Sequence, residues 1–126
     1  MKNLAPWRMN LPEPVRVRVL SDDERIRQSA LTLPSNYSVE LFDQPLAALA
    51  AIELDGDIAI IELGLGGYGI THDIRERAGR EVKVVMICSR PQDRWLCRQA
   101  GADDVLVKPL RDPSVLTDAI DRLNAA

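Results

Sequence analysis

The most apolar stretch of the chain predicts a buried strand that carries one carboxylate to a loop. The segment Asp57-Ile58-Ala59-Ile60-Ile61-Glu62-Leu63 is rich in β-branched residues, and glycines follow it at residues 64–69. Such a run, bounded by turn signals, is typical of a strand covered on both faces in a parallel α/β sheet. Because ligands bind beyond the C-terminal ends of strands in these sheets, Glu62 is a candidate site residue.

Strand and helix patterns alternate from residue 15 to the end of the chain. Alternating or continuous apolar residues predict strands at 15–20, 37–42, 57–63, 82–89 and 105–107. Apolar residues at helical spacing follow each strand, with start signals that include Ser21 and Glu24 as a capping box, Pro45, and Asp112. This (βα)5 order indicates a parallel sheet with right-handed crossovers and helices on both faces.

Composition indicates one folded domain preceded by an arm. Residues 1–14 carry three prolines and Trp7, so we expect an irregular arm there, with Trp7 docked on the body formed by residues 15–126. The 126 residues are 46% hydrophobic and 28% charged, which is typical of a globular domain. The net charge of -3 gives no basic surface, so we expect no nucleic-acid partner.

The compartment is predicted from what the sequence lacks. No apolar run is long enough to cross a bilayer and the first residues lack a signal-peptide pattern, so we expect a cytoplasmic protein without a membrane partner. Cys88 and Cys97 are then expected to be reduced thiols in the core. His72 has no partners at ligand spacing and is expected at the surface, whereas Trp95 is expected to be partly buried.

Polar residues follow four of the predicted strands. They are Asp22 and Asp23 after the first strand, Glu62 at the third, Ser89 at the fourth and Lys108 at the fifth. Each has an ordinary explanation alone, such as a favourable charge at a helix start, a turn residue or a solvated loop residue. Because parallel strands end at one edge of the sheet, these side chains together predict a functional site.

Three segments carry a resemblance to a known family, the receiver domain of response regulators in two-component signalling. Ala100-Gly101-Ala102-Asp103-Asp104-Val105-Leu106-Val107-Lys108-Pro109-Leu110 is similar to the family's passage from helix four through strand five to a Lys-Pro step, usually a cis peptide. Val19-Leu20-Ser21-Asp22-Asp23-Glu24 resembles the acidic-pair motif, and residues 57–63 align with the strand that ends in the phosphoacceptor. The resemblance implies a flavodoxin-like doubly wound parallel sheet of order 2-1-3-4-5 with five helices.

The resemblance also implies roles for the polar residues. Ser89 would bind a phosphoryl oxygen, and Lys108, which precedes Pro109, would pair with it. Oxygen ligands suit Mg²⁺, a hard cation. A possible but weak Mg²⁺ site is therefore implied at four residues: Asp22, Asp23, Glu62 and Gly64.

The chain departs from the family pattern at the centre of this site. Glu62 stands at the phosphoacceptor position, where the family has aspartate, and its extra methylene spoils the in-line geometry that phosphoryl transfer needs. Val105 replaces the aromatic residue that acts as a rotamer switch, and Gly66 replaces the usual proline. Arg90 stands where a small residue is normal, and we expect it to cover the pocket and pair with Glu62.

The predicted function is therefore that of an atypical receiver domain. Because the chain ends at Ala126, we expect a stand-alone module without an output domain, which is not an enzyme and needs no cofactor. It should act independently of phosphorylation through protein–protein contacts on the face of helix four, strand five and helix five. A histidine kinase or a downstream effector is the expected partner, and we expect a monomer or a weak homodimer.

One alternative is a nucleotide-binding protein of the NADP type. Gly64-Leu65-Gly66-Gly67-Tyr68-Gly69 matches the G-x-G-x-x-G pattern between a strand and a helix. The acidic ribose partner expected at the next strand end is absent, although Arg90 there would favour a 2′-phosphate. This alternative leaves Lys108 and the acidic pair unexplained.

Overall fold

The computed structural model of the chain describes residues 13–126, and the predicted arm lies almost wholly outside this range, together with Trp7. Five strands and five α-helices alternate in the order β1 (Val15–Leu20), α1 (Glu24–Leu31), β2 (Tyr37–Phe42), α2 (Pro45–Asp55), β3 (Ile58–Glu62), α3 (Gly67–Ala78), β4 (Lys83–Cys88), α4 (Arg94–Ala100), β5 (Asp104–Val107) and α5 (Pro113–Ala125). Short 3-10 turns at Leu63–Leu65 and Pro91–Asp93 precede α3 and α4.

The strands form one parallel sheet of order β2-β1-β3-β4-β5. Each neighbouring pair is parallel, and the centre of the sheet is set by register pairs such as Leu20 with Ile61 and Ile61 with Met86. The predicted flavodoxin-like doubly wound fold is thus confirmed. As a consequence, all five strands end at the same edge of the sheet.

Side chains on the two faces of the sheet form two separate apolar layers. On one face, Leu20 and Ile61 pack with residues of α2, α3 and α4, such as Ile52 and Ile74. On the other face, the alternate strand positions pack with α1 and α5, through residues such as Ile120. Every side chain of β3 is buried, because β3 lies at the centre of the sheet with helices over both faces.

Helix α1 begins later than the capping box predicted. Its N-cap is Asp23, whose Oδ1 accepts hydrogen bonds from the backbone N–H groups of Arg25 (2.9 Å) and Ile26 (3.4 Å). Ser21 remains part of the sheet edge, since its N–H donates to the Phe42 carbonyl at 3.0 Å. The Ser21 hydroxyl instead accepts from the Asp23 N–H at 3.0 Å. The cap prediction at Ser21 was therefore wrong by two residues.

The glycine-rich segment belongs largely to α3, which begins at Gly67. Gly66 precedes the helix with φ of 75°, a left-handed conformation that favours glycine. At Gly67 a Cβ atom would lie 2.4 Å from the carbonyl oxygen of Glu62 and 2.9 Å from the Ile61 Cγ2 atom. Gly67 is therefore required for the close approach of α3 to the end of β3.

Other expectations about single residues met different outcomes. Cys88 and Cys97 are buried free thiols, as expected. Trp95 is 62% exposed on α4, so the expectation of partial burial was wrong. His72 is exposed, as expected. Among the described residues, no helix has the length and apolar character needed to cross a membrane.

We predict that Gly67→Ala destabilises the fold while Gly69→Ala in the same helix stabilises it. The Cβ of Ala at position 67 would overlap rigid backbone, and overpacking of this kind costs about 1–3 kcal/mol. Position 69 has open space around it and lies inside α3, where Ala is favoured over Gly by about 0.5–1 kcal/mol. Urea unfolding of both variants measures the difference, and equal effects at the two positions would contradict the close approach.

Candidate functional site

The site lies where β1, β3 and β5 end. Glu62 is the last residue of β3, Asp23 follows β1 by way of the α1 cap, and Lys108 follows β5. The N–H of Lys108 donates to the Cys88 carbonyl at 2.8 Å, which extends the β4–β5 ladder by one residue. The backbone of all three residues is thus held by the sheet or by a helix cap, so their side chains converge on one point.

Lys108 lies between two carboxylates. Its Nζ atom donates to Oε1 of Glu62 at 2.9 Å and to Oδ2 of Asp23 at 3.2 Å. The side chains of Glu62, Lys108 and Asp23 are 6%, 24% and 30% exposed, respectively. We call these three residues the charge triad. Glu62 is its most buried member, so the Glu62–Lys108 contact is the one that solvent screens least.

The triad stabilises the charged forms of Asp23 and Lys108. Burial, the largest influence on Asp23, opposes ionisation, but hydrogen bonds from Lys108 and from the N–H groups of Arg25 and Ile26 outweigh it and lower its pKa. Burial likewise acts to lower the pKa of Lys108, but its hydrogen bonds to Glu62 and Asp23 and their negative charges raise it overall. Lys108 is consequently a fixed cation at neutral pH.

Three other predicted site residues are more exposed than the triad. Asp22 is exposed and makes no ion pair among residues 13–126, and Ser89 is exposed beside the triad. Gly64 is exposed in the 3-10 turn after β3. The Lys108–Pro109 peptide is cis, as the resemblance implied. The structure thus joins three of the predicted residues by direct contacts and leaves Asp22, Ser89 and Gly64 exposed.

The expected pairing of Arg90 with Glu62 does not form. Its Nε and Nη2 atoms donate to the two carboxylate oxygens of Asp93 at 3.2 and 3.1 Å. This pairing with Asp93 raises the pKa of the exposed Arg90 guanidinium. The expectation was wrong because sequence reasoning missed Asp93, which lies three residues away in the 3-10 turn. In addition, Glu62 already pairs with Lys108.

Val105 is buried in β5 and belongs to the core layer on the α4 side of the sheet. A valine side chain has one χ angle, and its two branches restrict it strongly. An aromatic ring at this position could alternate between a buried and an exposed rotamer, but Val105 has no comparable movement. The β5 surface therefore lacks a side-chain switch at this position.

A groove of about 750 Å³ opens next to the triad, between α1 and the loop that joins β5 to α5. Asp23 and Lys108 line one end, and Pro109, Leu110 and Pro113 contribute apolar surface. Sequence reasoning missed this groove, because its two walls are distant in the chain and meet only when α1 and α5 pack on the same face of the sheet.

The triad limits what a metal ion could do here. Carboxylate oxygens of Asp22, Asp23 and Glu62 are the kind of donors that Mg²⁺ prefers. However, Lys108 already occupies one oxygen of Glu62 and one of Asp23, so an incoming cation would meet a positive charge at this position. The residues present therefore fit Mg²⁺ poorly while Lys108 holds these two carboxylates.

The glycine pattern has a structural explanation that involves no nucleotide. Gly66 supplies the left-handed residue before α3, and Gly67 allows the close approach of α3 to β3. Neither requirement depends on a bound phosphate. The alternative of an NADP-type site on residues 64–69 is not supported.

We predict that the stabilising effect of the Asp23 charge disappears in acid. Because the folded-state pKa of Asp23 lies below its ordinary value of about 3.9, the charge stabilises the fold above that pH, and this contribution is lost as pH falls through the folded pKa. Asn can still cap α1, so Asp23→Asn removes mainly the charge. In urea unfolding, the difference between wild type and variant should be constant above about pH 5 and shrink below about pH 4. A constant difference at all pH values would contradict the triad.

Comparisons with known proteins agree on the fold. No protein-family model matches the chain, and no curated protein sequence matches it significantly. Among solved structures, the BeF3-activated DrrB receiver domain superposes with a TM-score of 0.78 at 24% identity, over 90% of this chain and 99% of that one.

Two further solved structures show the same likeness. The receiver domain of the sensor histidine kinase PA1611 from Pseudomonas aeruginosa, with magnesium in its active-site cleft, gives a TM-score of 0.76 at 24% identity over 90% and 99% of the two chains. The chemotaxis response regulator CheY4 of Vibrio cholerae gives 0.73 at 19% identity over 87% and 98%. At these identities the likeness concerns the fold, and the chain has the fold of response-regulator receiver domains.

Proposed function

We propose that this chain is an atypical receiver module that signals through protein–protein contacts without being phosphorylated. The observation that carries the proposal is the contact of 2.9 Å between Lys108 Nζ and Glu62 Oε1 at the buried end of β3. Glu62 holds the position at which the receiver resemblance implies an acceptor aspartate. In this role the chain is a binding module rather than an enzyme.

Glu62 is a poor phosphoacceptor for two reasons. Its carboxylate is buried, and one of its oxygens already accepts from Lys108, which makes that oxygen a weaker nucleophile. The extra methylene also displaces the carboxylate from where an aspartate oxygen would lie, and phosphoryl transfer depends on in-line positioning. We therefore propose that the pocket does not carry out phosphoryl transfer.

Glu62 instead supplies a permanent negative charge for Lys108. A phosphoryl group carries about -1.5 to -2 charge and three acceptor oxygens, so one carboxylate imitates it only in part. The length of the Glu62 side chain compensates, since it reaches Lys108 directly. We propose that this contact holds the domain near one signalling state at all times.

The proposed partner surface consists of α4, β5 and α5, at the β5 edge of the sheet. Val105 gives this edge no rotamer switch, so a partner would recognise a constant shape. Trp95 projects from α4 with 62% of its surface exposed, and tryptophan is enriched among residues that dominate binding energy. A histidine kinase or a downstream effector is the proposed partner class, and the module would act as a monomer or a weak homodimer.

Mg²⁺ is not required in this proposal. The structure of the PA1611 receiver domain contains magnesium in its active-site cleft. In the present chain Lys108 bonds to Glu62 and Asp23, two of the carboxylates that would bind the ion, so we propose only weak Mg²⁺ binding.

We predict that the intact mass of the protein does not change after incubation with acetyl phosphate and Mg²⁺. The reason is that the Glu62 carboxylate is paired and misplaced for attack. Mass spectrometry of the intact chain is the measurement. A receiver domain that acetyl phosphate does phosphorylate, treated in the same way, serves as the positive control. Glu62→Asp is the informative variant, because it shortens the side chain by one methylene and should gain some labelling. Stable addition of a phosphoryl group at Glu62 of the wild type would refute this part of the proposal.

We also predict that partner binding depends on Trp95 and on the triad. The immobilised protein would be exposed to a lysate of its source organism, and retained proteins would be quantified by mass spectrometry. Trp95→Ala should remove partners that Leu46→Ala retains, because Leu46 is also a large exposed apolar residue but lies on α2, away from the proposed face.

The triad variants then separate the pocket from the surface. Glu62→Gln and Lys108→Ala should reduce recovery of the same partners, because each removes the contact that sets the signalling state. Circular dichroism of each variant checks that the fold survives. Full partner recovery with both triad variants, in folded protein, would show that the pocket has no influence on binding.

A further inference from the structure

Helix α3 carries a group of metal-ligating side chains that lies outside the triad. His72, Asp73 and Glu76 each offer one ligand atom, and these atoms all lie within 4.8 Å of one another. His72 and Glu76 are four residues apart, so they lie one above the other on the same face of the helix. Sequence reasoning treated His72 as an isolated surface residue and missed this arrangement.

The spacing between the ligand atoms suits an ion better than a direct bond. Nε2 of His72 and Oε1 of Glu76 are 3.7 Å apart, which is too long for a hydrogen bond. A tetrahedral Zn²⁺ held about 2.0–2.2 Å from each ligand separates two ligand atoms by about 3.4 Å. The two side chains therefore need only a small adjustment to bind one ion together.

Neighbouring cations do not neutralise this group. Arg75 donates to the carbonyls of Val82 and Gly101 at 2.6 and 2.7 Å and pairs with Asp103, and Arg80 also pairs with Asp103.

Arg77, the remaining arginine of α3, pairs with Glu53 of the neighbouring helix α2 at 2.7 Å. Within residues 13–126, no lysine or arginine lies within ion-pair distance of Asp73 or Glu76. The two carboxylates therefore keep their negative charge available for another cation.

His72 and Glu76 also line a concave surface rather than a flat one. A depression of about 340 Å³ lies between α3 and the end of α4, and its other wall includes Gln99 and Gly101. Arg75 and Arg80 also line it, but both guanidinium groups are paired with Asp103. Both ligands are exposed, so an ion from solution can reach them without any movement of the core.

We propose that His72, Asp73 and Glu76 form a site for a divalent transition metal, with Zn²⁺ as the representative ion. One imidazole and two carboxylates are ligands that Zn²⁺ accepts, and an imidazole favours transition metals over Mg²⁺. Three protein ligands leave a coordination position for water. This site is independent of the triad and of the proposed signalling role.

The first test uses the fact that His72 is the only histidine of the chain. The full chain, prepared without a polyhistidine tag, is titrated with ZnCl₂ by calorimetry and by proton NMR of the imidazole signals. We expect one saturable binding event, with the His72 signals changing along the same curve. MgCl₂ at equal concentrations should leave these signals unchanged. Zn²⁺ binding that does not move the His72 signals would overturn the proposal.

Variants provide the second test. His72→Gln and Glu76→Gln should each weaken Zn²⁺ binding by at least about tenfold, since loss of a residue that only supports a metal ligand typically costs about 10–100-fold in affinity. Glu81→Gln is the matched control, because it removes an exposed carboxylate just beyond α3 and should bind Zn²⁺ as the wild type does. Unchanged affinity in His72→Gln, or an equal loss in Glu81→Gln, would contradict the site.

Discussion

A carboxylate that is shielded from water must be compensated, and in this molecule Glu62 is compensated by Lys108. An unpaired buried charge is among the most unfavourable features a fold can contain, and removal of one partner of a buried pair commonly costs about 3–5 kcal/mol. Lys108 is partly exposed, so the cost here lies below that range. The pair nevertheless ties the end of the central strand to the end of the edge strand.

The parallel topology is what makes this compensation available. Lys108 is 46 residues from Glu62 and 85 residues from Asp23 in sequence, yet all three meet because their strands end at one edge. The close approach at Gly67 brings the start of α3 against the carbonyl of Glu62. The charge triad is therefore a product of the whole sheet, and a local segment could not produce it.

The elements and their order could be predicted from the sequence, because strand and helix periods differ and the apolar runs are clear. The meeting of Asp23, Glu62 and Lys108 at one edge also followed from topology alone. Finer details depended on competing contacts. Asp23 rather than Ser21 caps α1, because the backbone of Ser21 still bonds to the neighbouring strand. Arg90 pairs with the nearby Asp93 rather than with Glu62. Such choices between neighbouring partners leave no periodic signal in a sequence.

The contacts of Arg75 affect how α4 can move. Its guanidinium joins α3 to the Val82 carbonyl before β4, the Gly101 carbonyl after α4 and the Asp103 carboxylate before β5. The C-terminal end of α4 is thus anchored, whereas its N-terminal end follows the exposed 3-10 turn that contains Asp93. The buried Cys97 and Ala100 hold the middle and the end of α4 against the sheet as well. Together these contacts restrain the tilt of α4 and therefore the position of Trp95, as a partner surface of constant shape requires.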